Sequence, residues 1–195
     1  MARPSKAAER VQQINEATLR TLAKYGYAAA SLDRIAEEAG LARGHIRHYV
    51  GNRQNLIREA AKLSYFGESG TDKFWPESIN TVREAVNYLF STEFIGTREE
   101  NAVFFGFIEA SRSDPVISQI LISAYSGAET ELAALLKQEY PGAPSARRKQ
   151  IAFSVVSIAI HNIFLLDISD DADNTKLAKS SANFVISTLT NTKDK

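Results

Sequence analysis

The chain reads as an all-α protein, a helical N-terminal segment followed by a longer helical body. Two observations carry this. The internal prolines, Pro76, Pro115, Pro141 and Pro144, fall between segments whose apolar residues recur every three or four positions. No stretch between turn signals alternates apolar and polar residues with the period of two that a strand requires.

The elements follow in order. Residues 6–25 place Val11, Ile14, Thr18, Leu22 and Tyr25 on one helical face, and Gly26 ends that helix. Short helices are expected at 32–39 and 43–49, and a longer one at 53–66. Further helices are expected at 77–94, 98–112, 115–139, 145–167 and 174–190. Asp114-Pro115 has the form of an N-cap followed by a first-turn proline. Pro141-Gly142-Ala143-Pro144 is a stop, with Ser145 as the expected cap of the next helix.

The chain has 195 residues and no cysteine, so it holds no disulfide, thiol nucleophile or cysteine metal site. No cofactor or metal is expected. The N-terminal stretch MARPSKAAERVQQ has no apolar signal core. The longest apolar run, 151–166, is interrupted by Ser154, Ser157, His161 and Asn162 and stays short of the ~20 residues of a membrane span. A cytoplasmic protein without a membrane segment is expected. The net charge is zero, yet residues 1–62 hold 11 Lys and Arg against 6 Asp and Glu. The rest of the chain is acidic to the same extent, so the N-terminal end is the one suited to a polyanion. The composition changes near the helix at 53–66, which divides the chain into residues 1–52 and 53–195.

Residues 40–56, GLARGHIRHYVGNRQNL, contain two histidines, three arginines and no acid. Together with the preceding residues they satisfy a helix-turn-helix. Ala36 is small where two helices cross, and Gly40, four residues on, suits a left-handed turn. Ile35, Ala39, Leu41, Ile46 and Tyr49 fall at the wedge positions, and Ser31 is a suitable N-cap and a candidate phosphate contact. The second helix then turns Arg43, Gly44, His45, Arg47 and His48 outward, a basic, hydrogen-bonding face suited to a DNA major groove. Gly44 permits close approach, at a helix-propensity cost of about 1 kcal/mol against alanine. An N-terminal arm with Arg3, Lys6 and Arg10 could reach phosphates or a minor groove, or remain a tail.

On these residues, KYGY (24–27), SLDRIAEEAGLARG (31–44), HIRHYV (45–50) and NRQNL (52–56), the chain resembles the N-terminal domain of TetR-type transcriptional regulators over residues 10–60. The resemblance implies a subunit of about nine helices, a dimer through the last two long helices, and a ligand pocket in the C-terminal part. It implies DNA contacts for Arg43, Gly44, Tyr49 and Arg53, the last two to phosphates. It also implies repression as the default action. Three positions depart from the family pattern: Ala42 replaces a capping serine or threonine, Arg47 a common aromatic, and Val50 a phenylalanine. His45 and Arg47 are expected to read bases.

The C-terminal part is less explicit. Phe104, Phe107, Tyr125 and Phe164 could line an apolar ligand pocket or serve as core, with Glu109, Arg112, His161 and Asn162 as polar groups nearby. The helix at 145–167 is apolar nearly all round. Ile151, Val155, Ile158 and Leu165 on it, with Phe184, Val185 and Leu189 on the last helix, are expected to form a two-fold four-helix dimer interface. A dimeric, ligand-controlled, operator-binding regulator accounts for all of these features. An enzyme has little catalytic material here, with only three histidines in the chain. A DNA-binding protein of the same architecture without a small-molecule ligand, acting through a protein partner or as an architectural factor, remains the second reading.

Overall fold

The computed structural model describes residues 6–67, 74–169 and 171–189. Arg3 and Pro4 of the basic arm, and the last residue of the helix expected at 174–190, lie outside them. Among the described residues the secondary structure is helical throughout. The helices are α1 (Lys6–Ala29), α2 (Leu32–Ala39), α3 (Arg43–Val50), α4 (Arg53–Phe66), α5 (Val82–Leu89), α6 (Thr92–Ile95), α7 (Arg98–Ser111), α8 (Pro115–Glu139), α9 (Ser145–Ser169) and α10 (Ala172–Ser187).

The chain divides into two compact units. One comprises residues 1–71 and 98–122, the other residues 72–97 and 123–195. In the first unit α1 buries Ile14, Ala17, Thr18, Thr21 and Leu22. The two buried threonine hydroxyls donate back to the carbonyls of Ile14 and Ala17, at 2.8 and 2.7 Å, so neither is left unsatisfied. Gly26 breaks the helical path with φ 73° and ψ 171°. Tyr25, expected on the buried face, is exposed instead, with the Lys24 ammonium and the Arg34 guanidinium over its ring.

The α2–α3 turn is made by backbone geometry. Gly40 is left-handed (φ 64°, ψ 32°). Its N–H reaches the Glu37 carbonyl at 3.1 Å, and the Leu41 N–H reaches the Ala36 carbonyl at 2.9 Å. That pair of bonds is a Schellman motif, which closes α2 and aims α3. Ile35, Ala36, Ala39, Ile46 and Leu56 join Ile14 and Ala17 in one apolar cluster, with Leu32, Leu41 and Val50 packed against it.

Arg53, expected on a phosphate, makes hydrogen bonds within the protein. Its Nε donates to the Ala30 carbonyl at 2.6 Å and its Nη2 to the Tyr27 carbonyl, while the guanidinium lies 4.5 Å from the Tyr27 ring. The first turn of α4 is thereby fastened to the end of α1 and the α1–α2 connection. Asn52 caps the same turn, its Oδ1 accepting from the Asn55 N–H at 2.8 Å.

The other end of the first unit is tied by Asp114, which is only 2% exposed. Its carboxylate accepts from Arg58 Nε at 2.8 Å, from Gln54 Nε2 at 3.0 Å and from the Val116 N–H at 3.0 Å. The N-cap role expected for it is thus combined with an ion pair to α4. Burial pushes its pKa up, but the bonds from Arg58, Gln54 and Val116 and the Arg58 charge outweigh burial and hold it below the ordinary carboxylate value.

In the second unit the core contains Trp75, Val82, Leu89, Leu132, Leu136, Ile151, Val155 and Ile186 among others. The single helix expected at 77–94 is two helices. Thr81 and Glu84 form a capping box that starts α5 at Val82, and Ser91 Oγ caps α6. Backbone donors from Asn80, and then the Thr81 hydroxyl and N–H, hold the Glu84 carboxyl below its usual range. Ser145, expected as a cap, is the first residue of α9, and the Pro144 carbonyl accepts from the Arg148 N–H at 3.1 Å. Between α9 and α10 the buried Asn162 exchanges hydrogen bonds with Thr175, at 3.2 and 3.3 Å.

Two outcomes are expected. Asp114→Asn should lower the unfolding free energy by about 2–3 kcal/mol at pH 7, since Arg58 loses its carboxylate in a largely buried setting. A depressed folded pKa contributes stability above the unfolded value of about 4, and that stability is lost as the pH falls through the folded value. Urea titrations should therefore show the wild-type advantage shrinking on acidification below about pH 4; a difference independent of pH would refute the ion-pair account. Arg53→Ala should cost about 2 kcal/mol, from charged hydrogen bonds to two carbonyls, and leave the salt dependence of DNA binding unchanged. Unchanged stability with a shallower salt slope would place Arg53 on a phosphate instead.

Candidate nucleic-acid interface

The basic face is built on one buried side chain. Ile46 is fully buried, while Arg43, Gly44, His45, Arg47, His48 and Tyr49 on the same helix are exposed. No heavy atom lies within 4 Å of the position a Cβ on Gly44 would occupy, so nothing in the protein itself requires glycine there. Arg43 pairs with Asp33 Oδ2 at 3.1 Å, and both partners are largely exposed. Such a pair is worth less than about 1 kcal/mol and leaves the guanidinium available to a stronger anion.

Tyr49 differs from its expected role as a wedge. It is 37% exposed and meets His48 edge-on at 5.1 Å. The wedge positions belong to Leu41, Ile46 and Val50. Tyr49 instead borders an open groove of about 550 Å³ with Val11, Asn15, Arg58 and Lys62 among its lining residues. Ser31 caps α2, its Oγ accepting from the Arg34 N–H at 3.3 Å. Ala42 gives α3 no side-chain cap, as the departure at that position implied. The sequence reading did not anticipate the Asn52 cap, although an asparagine three residues before Asn55 at a helix start is a readable signal. It also missed the role of Arg53, whose partners lie 23 and 26 residues away.

The residues proposed for a ligand pocket are divided between the two units. Phe107 is 1% exposed and meets Tyr65 within the first unit, where Phe104 is half-buried and Glu109 exposed. Tyr125, half-buried, and His161 and Phe164 belong to the second unit. His161 and Phe164 lie stacked on the outer face of α9, their rings 6.0 Å apart. The buried polar group of α9 is the next residue, Asn162.

The expected dimer residues divide similarly. Ile151, Val155 and Leu189 are closed inside the core of their own unit, at 2%, 0% and 5% exposure, and offer no surface to a partner. Ile158, Leu165 and Val185 are half-buried, and Phe184 is exposed. The outward apolar side chains of these helices are Phe153, Phe164 and Ile168 on α9 and Leu177 and Phe184 on α10. α9 is long and apolar enough to cross a membrane by length and composition, and its inward face is the core of the second unit.

The family model described as bacterial regulatory proteins, tetR family, matches residues 14–60, which span α1 to α4. The HTH-type transcriptional regulator BetI of Vibrio parahaemolyticus is 25% identical over 161 residues, covering 80% of this chain and 79% of that protein. A TetR-family regulator from Cytophaga hutchinsonii has the same fold, with a TM-score of 0.76 at 18% identity over the full length of both chains. So does a transcriptional regulator from Saccharomonospora viridis solved in complex with choline, with a TM-score of 0.70 at 18% identity over 92% of this chain and 96% of that one. The Schellman-turned helix pair and its basic helix lie inside the segment that matches this family model, and over most of its length the chain is similar to a DNA-binding transcriptional regulator of that kind.

Proposed function

We propose that the protein is a cytoplasmic repressor that binds its operator as a homodimer and leaves it when a small molecule binds. Residues 1–52 carry DNA recognition, and residues 53–195 carry ligand binding and dimerisation. The observation that carries the first part is α3, with one buried side chain and every basic one outward. Arg47 and His45 are the base readers, since a glycine beside them lets the helix sit deep in a major groove. Arg43, His48 and Tyr49 flank them toward the phosphates, while Ser31 and Arg53 hold the supporting turns. Support for a small-molecule effector comes from the choline complex of the Saccharomonospora viridis regulator.

The dimer reading rests on an exposed apolar stripe. Phe153, Phe164 and Ile168 follow one face of α9, and Leu177 and Phe184 follow one face of α10, with exposures from 46% to 71%. Such a stripe on two packed helices is suited to a two-fold, four-helix contact, in which the same patch serves both subunits. Leu165 and Val185, half-buried beside it, would be covered at its border.

Selection from random DNA tests the readout. Arg47→Ala should relax preference at one or two positions per half-site, in mirrored places, by about 1–3 kcal/mol each. The half-site centres should lie about 10 base pairs or a multiple apart. If wild type, His45→Ala and Arg47→Ala recover one motif with equal information at every position, α3 is not the reader. For the dimer, Phe184→Glu should give a folded monomer by light scattering and circular dichroism, with operator binding lost. Val155→Glu, by contrast, should unfold the second unit. A Phe184→Glu protein that stays dimeric would move the interface elsewhere.

A further inference from the structure

Residues 40–56 hold no acid, yet the fold brings one back to them. Asp33, in the first turn of α2, places Oδ2 3.1 Å from Nη1 of Arg43, the first residue of α3. The two side chains remain 65% and 61% exposed. Arg43 takes one of the roughly four acceptor positions of a carboxylate, and among the described residues Asp33 accepts no other hydrogen bond. Glu38, further along α2, differs: it is 25% exposed and tied to Arg20 of α1 at 3.0 Å.

Local structure gives Asp33 one role, since an acid in the first turn of a helix suits the helix dipole. Its place opposite Arg43 adds another consequence. In a helix-turn-helix the first residues of the second helix meet the base edges, while the first helix crosses the backbone. Asp33 therefore stands beside the part of α3 suited to reach deepest, and a carboxylate there opposes the approach of any duplex unless it finds a donor. An aspartate side chain is short, so its reach depends on how closely the helix pair can approach. Gly44, next to Arg43, has open space where its Cβ would lie, and nothing at that position of α3 holds α2 away from a groove.

We propose that Asp33 is a specificity-determining residue: its carboxylate accepts a hydrogen bond from the N4 amino group of one cytosine in each half-site, and Arg43 leaves it for a phosphate as the complex forms. The exposed pair is weak enough to be exchanged in this way. On the right sequence both charges keep a partner. On a sequence without that cytosine Arg43 still gains its phosphate, but the carboxylate faces the groove with no donor, and losing one partner of a desolvated charge costs more than the bond itself contributes. Guanine and thymine offer only acceptors in the major groove. Adenine offers an amino group, but its N7 acceptor stands beside it and repels a carboxylate. Discrimination thus comes from a repulsive element as well as an attractive one. This inference rests on the reading of α3 as the helix that enters the groove, and it adds a residue of α2 to the readout.

The test uses the full-length protein and a random-sequence duplex library at one salt concentration. Wild type should recover a cytosine at one mirrored position of each half-site. Asp33→Ala should lose that preference by about tenfold and keep the rest of the motif. It should also bind random duplex more tightly than wild type, with a salt slope steeper by up to about 1. Asp33→Asn has the same shape, which keeps the test valid should the alanine variant unfold. It should shift the same position toward adenine, whose N6 and N7 suit an asparagine amide. The contact is then probed on a duplex of the selected sequence in which that cytosine is N4-methylcytosine, which still pairs with guanine but turns its methyl group to the groove. The methyl group should weaken wild type about tenfold and leave Asp33→Ala unaffected. A motif unchanged in Asp33→Ala, or one that loses information evenly at every position, would overturn the proposal, and so would equal or weaker binding of that variant to random duplex. Arg47→Ala is selected in parallel. If it relaxes the motif and Asp33→Ala does not, only the role of Asp33 fails; if neither does, α3 is not the reader and both readings fail.

Discussion

α3 has eight residues and only Ile46 fully buried. A helix that short is not stable alone in water, so its existence and its orientation both come from what surrounds it. The left-handed turn at Gly40 fixes its direction, and the burial of Ile46 against α1 and α2 fixes its rotation. Once those two are set, the exposure of Arg43, His45, Arg47 and His48 follows from a rotation of about 100° per residue. Arg53 and Asn52 then hold the start of α4, and Asp114 holds its middle to the α7–α8 junction. The basic surface of α3 is thus the outer side of a small core, and the side chains of Asn52, Arg53 and Asp114 hold that core together.

What could be read in the sequence was local. The spacing of Ala36, Gly40 and Ile46 gave the helix pair, because the Schellman bonds span five residues and the wedge recurs at helical steps. The split of 77–94 into two helices was also legible, since Thr81 and Glu84 have the capping-box spacing and Ser91 stands where a cap belongs. The bonds of Arg53 were not legible because its two carbonyl partners are distant in sequence and a carbonyl leaves no mark on composition. On α9, apolar residues occupy nearly every face, so periodicity could not say which side met the core. Val155 and Phe153 look equally apolar in sequence, yet one is sealed and the other is 58% exposed. The cluster of Phe74, Trp75, Tyr88 and Phe94, whose rings meet edge to face or tilted, was invisible for a third reason: they come from an irregular segment, the last turn of α5 and a helix of four residues.

The division proposed at residue 52 is one of roles, while packing divides the chain differently. The unit that carries α3 also contains α4, α7 and the first residues of α8, and it is built from two separate stretches of sequence. α7 packs on α1, with Leu22 Cδ2 3.9 Å from where a Cβ on Gly106 would lie. A fragment ending at residue 52 would lack Leu56, which is fully buried in the same cluster as Ile46, and would lack α7 as well. α3 therefore depends on residues twice as far along the chain as itself.

Gly44 places two kinds of selection in opposition. Nothing in the protein crowds its missing side chain, and alanine would favour the helix by about 0.5–1 kcal/mol. Screening variants for heat resistance alone would therefore enrich Gly44→Ala, along with other surface changes that touch nothing. A lineage that no longer needed its operator would drift the same way, toward a sturdier helix with a blunter face. On the proposed role of α3, the residue at this position records whether a given descendant still approaches a groove.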